Sequence, residues 1–482
     1  RSRGLGDVYK RQLFNTIEFA LFLPIVLGLY YLLPAKYRWV LLLAASYFFY
    51  MSWKVEYIFL IIISTLIDYS TGLKMDQLET RKKRLPYLIL SLCSNLGLLF
   101  FFKYYNFAAD NVNFLFEKFS VDGELSMMSY LLPVGISFYT FQTLSYSIDV
   151  YFGRQKAEKH LGYFALYVSY FPQLVAGPIE RFSRLTPQLK KNQAFTYANF
   201  ANGLRLILFG LFIKMVIADN LSSIVERVYE NPSAFTSLQL WIGAVFYSFQ
   251  IYSDFFGYSI IAIGSSLMLG ITLIDNFKTP YLAKGIGEFW QRWHISLSTW
   301  FRDYLYYPLG GNRVKKSRWF LNICIVFIVS GFWHGANWTF IAWGALYGVV
   351  YIIEKLSNEA FNFKAEAKAF SVKHLLLALK TFILVTIIWV FFRSQNIAEA
   401  FEYIKLMFVN NQGEAKSLAV PNYVWLFLGL FILSDFVLYN KRFDTWVSNQ
   451  STKIRWTVYT LLIFAIIVFA GVEDFAFIYF QF

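Results

Sequence analysis

The chain has 482 residues, of which 57% are hydrophobic, 21% aromatic and 15% charged. Soluble domains carry roughly 25% charged residues, so this composition excludes an ordinary soluble protein and indicates a protein embedded in a lipid bilayer. The net charge is +14. Because the basic residues cluster between apolar runs and no base-reading motif accompanies them, we interpret the charge as a topology signal and expect no nucleic-acid partner.

The apolar runs recur along the whole chain and predict a polytopic membrane protein. A helix that crosses a bilayer needs about 20 apolar residues. By this requirement we predict roughly eleven to thirteen spans, several of which are too short to cross alone and are therefore candidates for re-entrant segments. Clear examples lie at residues 14–33, 85–102, 338–353, 375–392 and 456–470.

The organisation of the chain favours a single membrane domain. We interpret the polar residues 1–12, which contain no initiator Met, as a non-native scar, and we predict one all-α domain over residues 13–482. The two halves show no matching broken helices, which counts against a secondary transporter. Cys93 and Cys324 both lie in apolar runs, so the sequence supports neither a disulfide framework nor a thiolate metal site.

Short basic clusters set the expected topology. Lys and Arg are enriched in cytoplasmic loops, where they lie against anionic lipid. We therefore expect three groups on the cytoplasmic side: Arg81, Lys82, Lys83 and Arg84; Arg313, Lys315, Lys316 and Arg318; and Lys441 and Arg442.

The stretch LVAGPIERF, residues 174–182, interrupts an apolar run with Gly177 and Pro178. This pair fits a re-entrant turn, which is tolerated at membrane depth only where protein or water covers it. A plain helix kink is an equally good interpretation.

The most unusual stretch is GEFWQRWHISLSTWFRDYLYYPLGGNR, residues 287–313, which combines many aromatic rings with one His and three Arg. Apolar residues recur at steps of three and four from residue 286 to residue 305, which predicts one helix with an aromatic face and a basic polar face. Such a helix is typical of a membrane interface or of the lining of a wet cavity. A peripheral helix that only anchors the chain is the alternative.

His294 lies at the border between the two faces of this predicted helix. Ser298 follows one turn later, where its hydroxyl could orient the imidazole ring. Asp303 comes nine positions later, about half a turn away in angle. We therefore predict no His294–Asp303 dyad on an unbroken helix.

His334 lies between two apolar helical runs in RWFLNICIVFIVSGFWHGANWTFIAWGALYG. The run before it, residues 319–332, would form a helix of about 21 Å, shorter than the roughly 30 Å hydrocarbon core. His334 is therefore predicted at membrane depth, where an ionisable group is costly and indicates function. Gly335 permits a break and Asn337 can cap the next helix, whose positive end would keep the imidazole neutral. A structural histidine bonded to a neighbouring carbonyl is the alternative.

Few types of catalysis are consistent with the sequence around His334. Cys324 lies ten residues upstream, about 15 Å along a helix, which is too far for a thiol–imidazole pair. No further ligands are spaced for a metal site, so we predict no metal. General-base catalysis remains, in which the histidine takes the proton of an attacking acceptor hydroxyl. The other two histidines, His160 and His374, lie beside lysines at expected span edges and are interpreted as interfacial.

Five stretches follow one another along the chain in this order: LFNTIEFALFLPIVLGLYYLLPAKYRWVLLLAASYFFYMSW, YFPQLVAGPIERF, YSDFFGYSIIAIGSSLMLGI, FWQRWHISLSTWFRDYLYYPLGGNR and GFWHGANWTFIAWGALYG. Together they resemble the membrane-bound O-acyltransferase (MBOAT) family in its alginate O-acetyltransferase branch. The likeness covers nearly the whole chain, from about residue 13 to residue 482. The resemblance implies a ring of transmembrane helices, with re-entrant and interfacial helices, around a central funnel. It carries the family's near-invariant histidine onto His334 and its second histidine onto His294.

In this family a segment like residues 287–313 lines the cytoplasmic funnel. The resemblance therefore implies contacts between the acyl donor and Arg292, Arg302, Trp293 and Ser298. The basic charge suits the phosphates of coenzyme A or of an acyl-carrier phosphopantetheine.

The resemblance implies an enzyme of the bacterial cytoplasmic membrane, an O-acyltransferase that moves an acetyl group from a cytoplasmic thioester, acetyl-CoA, toward hydroxyls of an extracytoplasmic polysaccharide. Family relatives usually pass the acyl group to an SGNH-type partner outside the cytoplasm. One alternative is D-alanyl transfer to teichoic acid from a carrier protein. A polysaccharide or lipid-linked sugar transporter is an alternative of another class, and it would not need the two histidines.

Overall fold

The computed structural model describes residues 14–174, 177–361, 367–409, 417–471 and 478. Every regular element in these ranges is helical, which confirms the predicted all-α class. The chain forms two compact units, one of residues 1–196 with 269–273 and one of residues 197–268 with 274–482. The proposed scar at residues 1–12 lies outside the described residues, and the single membrane domain stays a prediction.

The first unit contains nine α-helices in its described part. A 3₁₀ turn, Val55–Tyr57, precedes the third helix, and a π-helical turn, Phe100–Tyr104, joins the fourth helix to the fifth. The α-helices are α1 (Ile17–Leu32), α2 (Ala35–Met51), α3 (Ile58–Asp76), α4 (Arg81–Leu99), α5 (Tyr105–Lys118), α6 (Ile136–Phe152), α7 (Leu161–Ser169), α8 (Phe171–Leu174) and α9 (Phe182–Lys190).

The second unit contains twelve α-helices in its described part. It also has 3₁₀ turns at Pro232–Ala234 and Pro280–Leu282 and π-helical turns at Phe212–Ala218 and Arg302–Tyr306. The α-helices are α10 (Tyr197–Leu211), α11 (Asp219–Glu230), α12 (Ser237–Met268), α13 (Ile286–Arg292), α14 (Ile295–Phe301), α15 (Lys316–His334), α16 (Trp338–Ala360), α17 (Val372–Arg393), α18 (Ile397–Phe408), α19 (Asn422–Val437), α20 (Phe443–Ser448) and α21 (Thr452–Phe469).

Seven helical segments of the described chain are long and apolar enough to cross a bilayer, fewer than the eleven to thirteen spans predicted. Two further apolar helices, α1 and α19, have only 16 residues each. Several apolar runs of the sequence therefore form helices below spanning length. The seven segments are Val55–Asp76, Arg81–Lys118, Tyr197–Glu230, Lys316–His334, Trp338–Ala360, Val372–Arg393 and Thr452–Phe469.

The stretch around Gly177 and Pro178 lies in the first unit between two short helices, α8 and α9. Residues 175 and 176 lie outside the described part, and residues 177–181 are not helical. Ile179 and Glu180 are buried, with 3% and 1% of their surfaces exposed. This arrangement differs from a kink within one continuous helix. Protein covers the non-helical backbone, as a re-entrant turn requires.

The core of the second unit is α12, which other helices enclose along most of its length. It packs against α10 through small residues. A Cβ on Gly203 would lie 2.6 Å from the Gly264 carbonyl oxygen, and a Cβ on Gly210 would lie 2.8 Å from the Gly257 carbonyl oxygen. Glycines at these crossings therefore allow the two backbones to approach closely.

A buried ionic cluster joins α12 to the π-helical turn that follows α10. Lys214 Nζ lies 2.6 Å from Asp219 Oδ1 and 2.7 Å from Asp254 Oδ1. At most 5% of any of the three side chains is exposed. Asp254 also accepts a hydrogen bond of 2.7 Å from the backbone amide of Ile478.

The helices α15 and α16 form a tight antiparallel pair. A Cβ on Gly331 would lie 2.2 Å from the Phe340 carbonyl oxygen, and a Cβ on Gly344 would lie 2.2 Å from the Phe327 carbonyl oxygen. This close packing fixes the end of α15, where His334 is the last residue, against the start of α16.

Candidate functional site

His294 lies at a break between two short helices. The helix α13 ends at Arg292, Trp293 is extended, and His294 adopts a left-handed backbone with φ 42° and ψ 54°. The predicted continuous helix over residues 286–305 is therefore wrong, since a π-helical turn also follows α14. A left-handed conformation is uncommon for a residue other than glycine and costs roughly 1–3 kcal/mol, so neighbouring contacts must stabilise it.

Residues 276–278 supply those contacts. The Lys278 amide donates to the Arg292 carbonyl (2.9 Å), and the Ile295 amide donates to the Asn276 carbonyl (3.0 Å). A continuous helix would use the Arg292 carbonyl and the Ile295 amide internally. Because a separate segment binds both groups, the helix is interrupted at Trp293 and His294.

The His294 side chain is fully buried, with 0% of its surface exposed, and does not lie at the border of a polar face. Its ring meets Phe255 of α12 edge to face, with centroids 4.7 Å apart, and lies 6.1 Å from the Trp333 ring. Burial lowers the pKa of His294 to about 3. The imidazole is therefore neutral, and able to accept a proton, at neutral pH.

His334 is also buried, with 3% of its surface exposed, as predicted. The helix that ends at His334 starts at Lys316 and has 19 residues, about 28 Å, so the predicted short helix is wrong. The helix includes residues 316–318 before the predicted apolar run and residues 333 and 334 after it. The depth of His334 in the bilayer stays a prediction.

The turn after His334 has the predicted cap. The Asn337 side chain accepts a 3.0 Å hydrogen bond from the Thr339 amide at the start of α16. Gly335 has an extended backbone (φ −164°), which any residue can adopt, so the conformational freedom of glycine is not needed at this position. Instead, a Cβ there would lie 2.1 Å from a ring carbon of Phe340, so close packing explains the glycine.

The fold brings the two histidines together. Their ring centroids are 6.5 Å apart, although 40 residues separate them in the sequence. Aromatic rings enclose His334: Trp343 lies 5.2 Å and Phe392 5.4 Å from it, centroid to centroid. Two adjacent imidazoles can serve one reaction centre, one as base and one by orienting a reactant.

The remaining histidines lie elsewhere. His160 is exposed at the start of α7, where its Nδ1 accepts from the Tyr163 amide (3.3 Å). His374 is buried, with 1% exposed, and is the third residue of α17, so its place at the edge of a span stays a prediction. Its Nδ1 accepts from the Phe370 amide and its Nε2 lies 2.9 Å from the Leu282 carbonyl oxygen. Both ring nitrogens therefore have structural partners.

The second unit contains an open cavity of about 310 Å³. Its lining includes Lys278 and Lys441, which are exposed, and Ser259 and Asn276, which are buried. Asn276 binds the residues directly after His294. The cavity thus has a basic exposed end and a buried end beside the helix break.

The other charged side chains of the cavity already have partners. Arg442 donates to both Asp444 carboxylate oxygens (3.0 and 2.9 Å) and lies 3.7 Å from Asp275. Asp435 accepts from the Tyr252 hydroxyl (3.1 Å). The two exposed lysines are therefore the cationic groups best placed to meet an anionic ligand.

Comparison with known proteins agrees with this architecture. A model of the membrane-bound O-acyltransferase (MBOAT) family matches residues 155–393. The chain is 41% identical to the probable alginate O-acetylase AlgI of Azotobacter vinelandii, over 80% of this chain and 76% of that protein. It is 37% identical to the peptidoglycan O-acetyltransferase of Helicobacter pylori, over 82% of this chain and 79% of that protein.

The chain belongs to the membrane-bound O-acyltransferase family. It is therefore an enzyme, an O-acyltransferase, and a multi-pass membrane protein, which confirms the predicted family and reaction class. It is also similar to the teichoic acid D-alanyltransferase of Streptococcus thermophilus, with 31% identity over 48% of this chain and 59% of that protein.

In this acyltransferase Arg292, a predicted donor contact, is largely engaged by protein groups. Its guanidinium donates to Glu288 (2.9 Å), to the Lys278 carbonyl (2.9 Å), to Asn440 (3.1 Å) and to the Tyr439 hydroxyl (3.0 Å). A guanidinium has five N–H donors, so at most one remains for a ligand. The geometry favours a structural role for Arg292.

The other predicted donor contacts of the acyltransferase lie in different surroundings. Trp293 is fully buried and stacks on Phe289 (5.5 Å between centroids). The Ser298 hydroxyl donates to the Trp293 carbonyl (3.3 Å). Arg302 is half exposed and pairs with Asp303 at 3.0 Å. The assignment of these residues to donor binding stays a prediction.

Sequence reasoning missed the segment that holds the helix break. Asn276 and Lys278 lie outside the aromatic 287–313 stretch, in a loop with no helical period. One sign of this region was present in the sequence, because the stretch YSDFFGYSIIAIGSSLMLGI supported the family resemblance. It contains Phe255, which contacts His294, and Ser259, which contacts Asn276.

Proposed function

We propose that this enzyme transfers acetyl groups from cytoplasmic acetyl-CoA to hydroxyls of an extracytoplasmic polysaccharide, in the cytoplasmic membrane of a bacterium. The names of the relatives support a carbohydrate acceptor, since one is named a probable alginate O-acetylase and another a peptidoglycan O-acetyltransferase. An SGNH-type partner outside the cytoplasm would receive the acetyl group or direct it to the glycan.

One observation carries the proposal: two buried histidines lie 6.5 Å apart, and Asn276, which binds the residues directly after His294, lines a cavity that also has two exposed lysines. A thioester donor with phosphates needs cationic groups at one end and a reaction centre at the other. Lys278 and Lys441 suit the phosphates, and the buried end leads toward His294.

In the proposed reaction, neutral His334 takes the proton of the acceptor hydroxyl as its oxygen attacks the thioester carbonyl. A C–O bond forms and the C–S bond breaks. The proton then passes from the imidazolium to the departing thiolate, which leaves as the thiol of coenzyme A. His294 orients the donor or the base and remains neutral.

The contacts within the second unit support an orientation for its helices. Lys316 at the start of α15 pairs with Glu359 at the end of α16 at 2.6 Å. Asn337 between these helices donates to the Gln395 carbonyl after α17 at 2.8 Å. Lys316 and Glu359 therefore lie on one side of the membrane, and Asn337 and Gln395 lie on the other. Because the basic cluster at Lys316 is expected on the cytoplasmic side, Gln395 is expected on the extracytoplasmic side.

This orientation gives the first prediction. In a chain with Cys93 and Cys324 replaced, a cysteine at Ser317 should not react with an impermeant maleimide added to intact cells, because charge bias keeps it inside. A cysteine at exposed Gln395 should react and is the matched control. Labelling of Ser317→Cys together with protection of Gln395→Cys would reverse the proposed direction of transfer.

The second prediction concerns the donor. Purified enzyme should release coenzyme A from acetyl-CoA when an acceptor is supplied. The double variant Lys278→Ala/Lys441→Ala should raise the KM for acetyl-CoA by about 5- to 30-fold, because each exposed charge pair contributes about 0.5–1 kcal/mol. This increase should shrink at high salt.

The control for the donor experiment is Lys355→Ala, an exposed lysine outside the cavity lining, which should leave the KM unchanged. An equal KM for the double variant and the wild type would reject the cavity as the donor site. Acceptance of a carrier-protein thioester but not of acetyl-CoA would replace acetylation with D-alanyl transfer, the activity of the Streptococcus thermophilus relative.

A further inference from the structure

Asn276 is buried and makes hydrogen bonds through both ends of its side-chain amide and through its backbone carbonyl. Its surface is 1% exposed. Its Nδ2 donates to the Ser259 hydroxyl (2.9 Å), its Oδ1 accepts from the Ser296 amide (3.3 Å), and its carbonyl accepts from the Ile295 amide (3.0 Å). One residue therefore ties α12 to the first turn of α14.

The residues bound by Asn276 directly follow His294. The amides of Ile295 and Ser296 are among the first groups of α14, which have no partner within a helix. Because Asn276 accepts from both, α14 starts at a fixed place and His294 is fixed in its left-handed conformation. An uncommon backbone conformation persists only when its surroundings hold it.

Aromatic packing also stabilises the position of His294. Phe277, the neighbour of Asn276, meets the Trp293 ring at 5.0 Å and the Phe255 ring at 5.1 Å. Phe255 in turn meets the His294 ring at 4.7 Å. The backbone and the ring of His294 are thus both held by groups that contact residues 276 and 277.

Asn276 also lines the cavity, as does its partner Ser259. Both residues therefore belong to the wall that separates the cavity from the helix break. A change at Asn276 would alter the position of His294 without removing a charged group from the exposed end of the cavity.

We propose that Asn276 is a positioning residue for acyl transfer, which fixes His294 beside His334. The proposal deepens the proposed function and rests on it. Small displacements at a reaction centre can cost about 100-fold in rate. We therefore expect Asn276→Ala to lower kcat by about 10- to 100-fold and to change the KM for acetyl-CoA little.

A double-mutant cycle tests this role. If Asn276 acts through His294, Asn276→Ala should cause no further loss of kcat in the His294→Ala background. Asn276→Asp should restore part of the activity, because its carboxylate can accept from the Ser296 amide and from the Ser259 hydroxyl. Equal fold-losses in the two backgrounds, or wild-type kcat in Asn276→Ala, would overturn the proposal.

The matched control is Asn322→Ala. Asn322 is also fully buried, and its amide donates to the carbonyls of Leu309 and Gly311 (3.1 and 3.2 Å) away from the histidines. Asn322→Ala should lower the melting temperature as Asn276→Ala does, yet leave kcat near that of the wild type. An equal loss of kcat in both variants would indicate that Asn276 is merely structural.

A second readout does not depend on activity. Diethyl pyrocarbonate should modify buried His294 slowly in the wild type and faster in Asn276→Ala, but not faster in Asn322→Ala, as followed by mass spectrometry. An unchanged rate at His294 would count against the positioning role. Failure of the proposed function can be distinguished from failure of the positioning role. If the proposed function is wrong, the wild type shows no transfer from acetyl-CoA, whereas the modification rates of His294 still test the role of Asn276.

Discussion

His334→Ala should lower acyl transfer by about 10²- to 10⁴-fold, the usual cost of losing a general base. Only 3% of the His334 surface is exposed, so bulk water is poorly placed to act as a substitute base. The measurement is the acetyl ester content of the exported polysaccharide, normalised to the amount of enzyme in the membrane. His334→Gln, which keeps a side chain of similar size in the aromatic enclosure, should show the same loss.

His294→Ala should also impair turnover, but less, because an orienting group is easier to replace than a base. His160→Ala is the control, since His160 is exposed in the first unit, and its activity should be near that of the wild type. His374→Ala is a poor control because both of its ring nitrogens have partners. Wild-type acetylation by a well-expressed His334→Ala enzyme would reject the catalytic assignment and favour a transporter.

Lys214→Met should destabilise the fold by about 3–5 kcal/mol, because it leaves the carboxylates of Asp219 and Asp254 buried without their cation. The expected result is a strong loss of folded protein in the membrane and a lower melting temperature in detergent. The triple variant Lys214→Met/Asp219→Asn/Asp254→Asn should recover much of the loss, since it removes the charges together.

The matched control is Lys316→Met. Lys316 and Glu359 lie 2.6 Å apart, as Lys214 and Asp219 do, but more than half of each side chain is exposed. Exposed pairs contribute about 0–1 kcal/mol, so this variant should be close to the wild type. Equal melting temperatures for Lys214→Met and the wild type would show that the buried cluster does not stabilise the fold.

The sequence was sufficient for features that depend on local pattern. The apolar runs predicted an all-α membrane protein, and Asn337 was correctly placed as a helix cap. His334 was singled out because an ionisable residue in an apolar run is costly, and the structure confirms that it is buried.

Features that depend on distant contacts could not be predicted. The period of residues 286–305 favours one helix, and only the pairing of Asn276 and Lys278 with this stretch breaks it. The basic character of Arg292 suggested a free cation, but its partners Tyr439 and Asn440 lie almost 150 residues away. In both cases groups from elsewhere in the chain outweighed a local preference.

The aromatic enclosure of the two histidines has a consequence for side reactions. Phe255, Trp333, Trp343 and Phe392 leave little surface of either imidazole accessible to solvent. A neutral imidazole that can activate a sugar hydroxyl could equally activate water, and the thioester would then be hydrolysed without product. Excluding water from the base therefore limits futile consumption of the donor while the acceptor is absent.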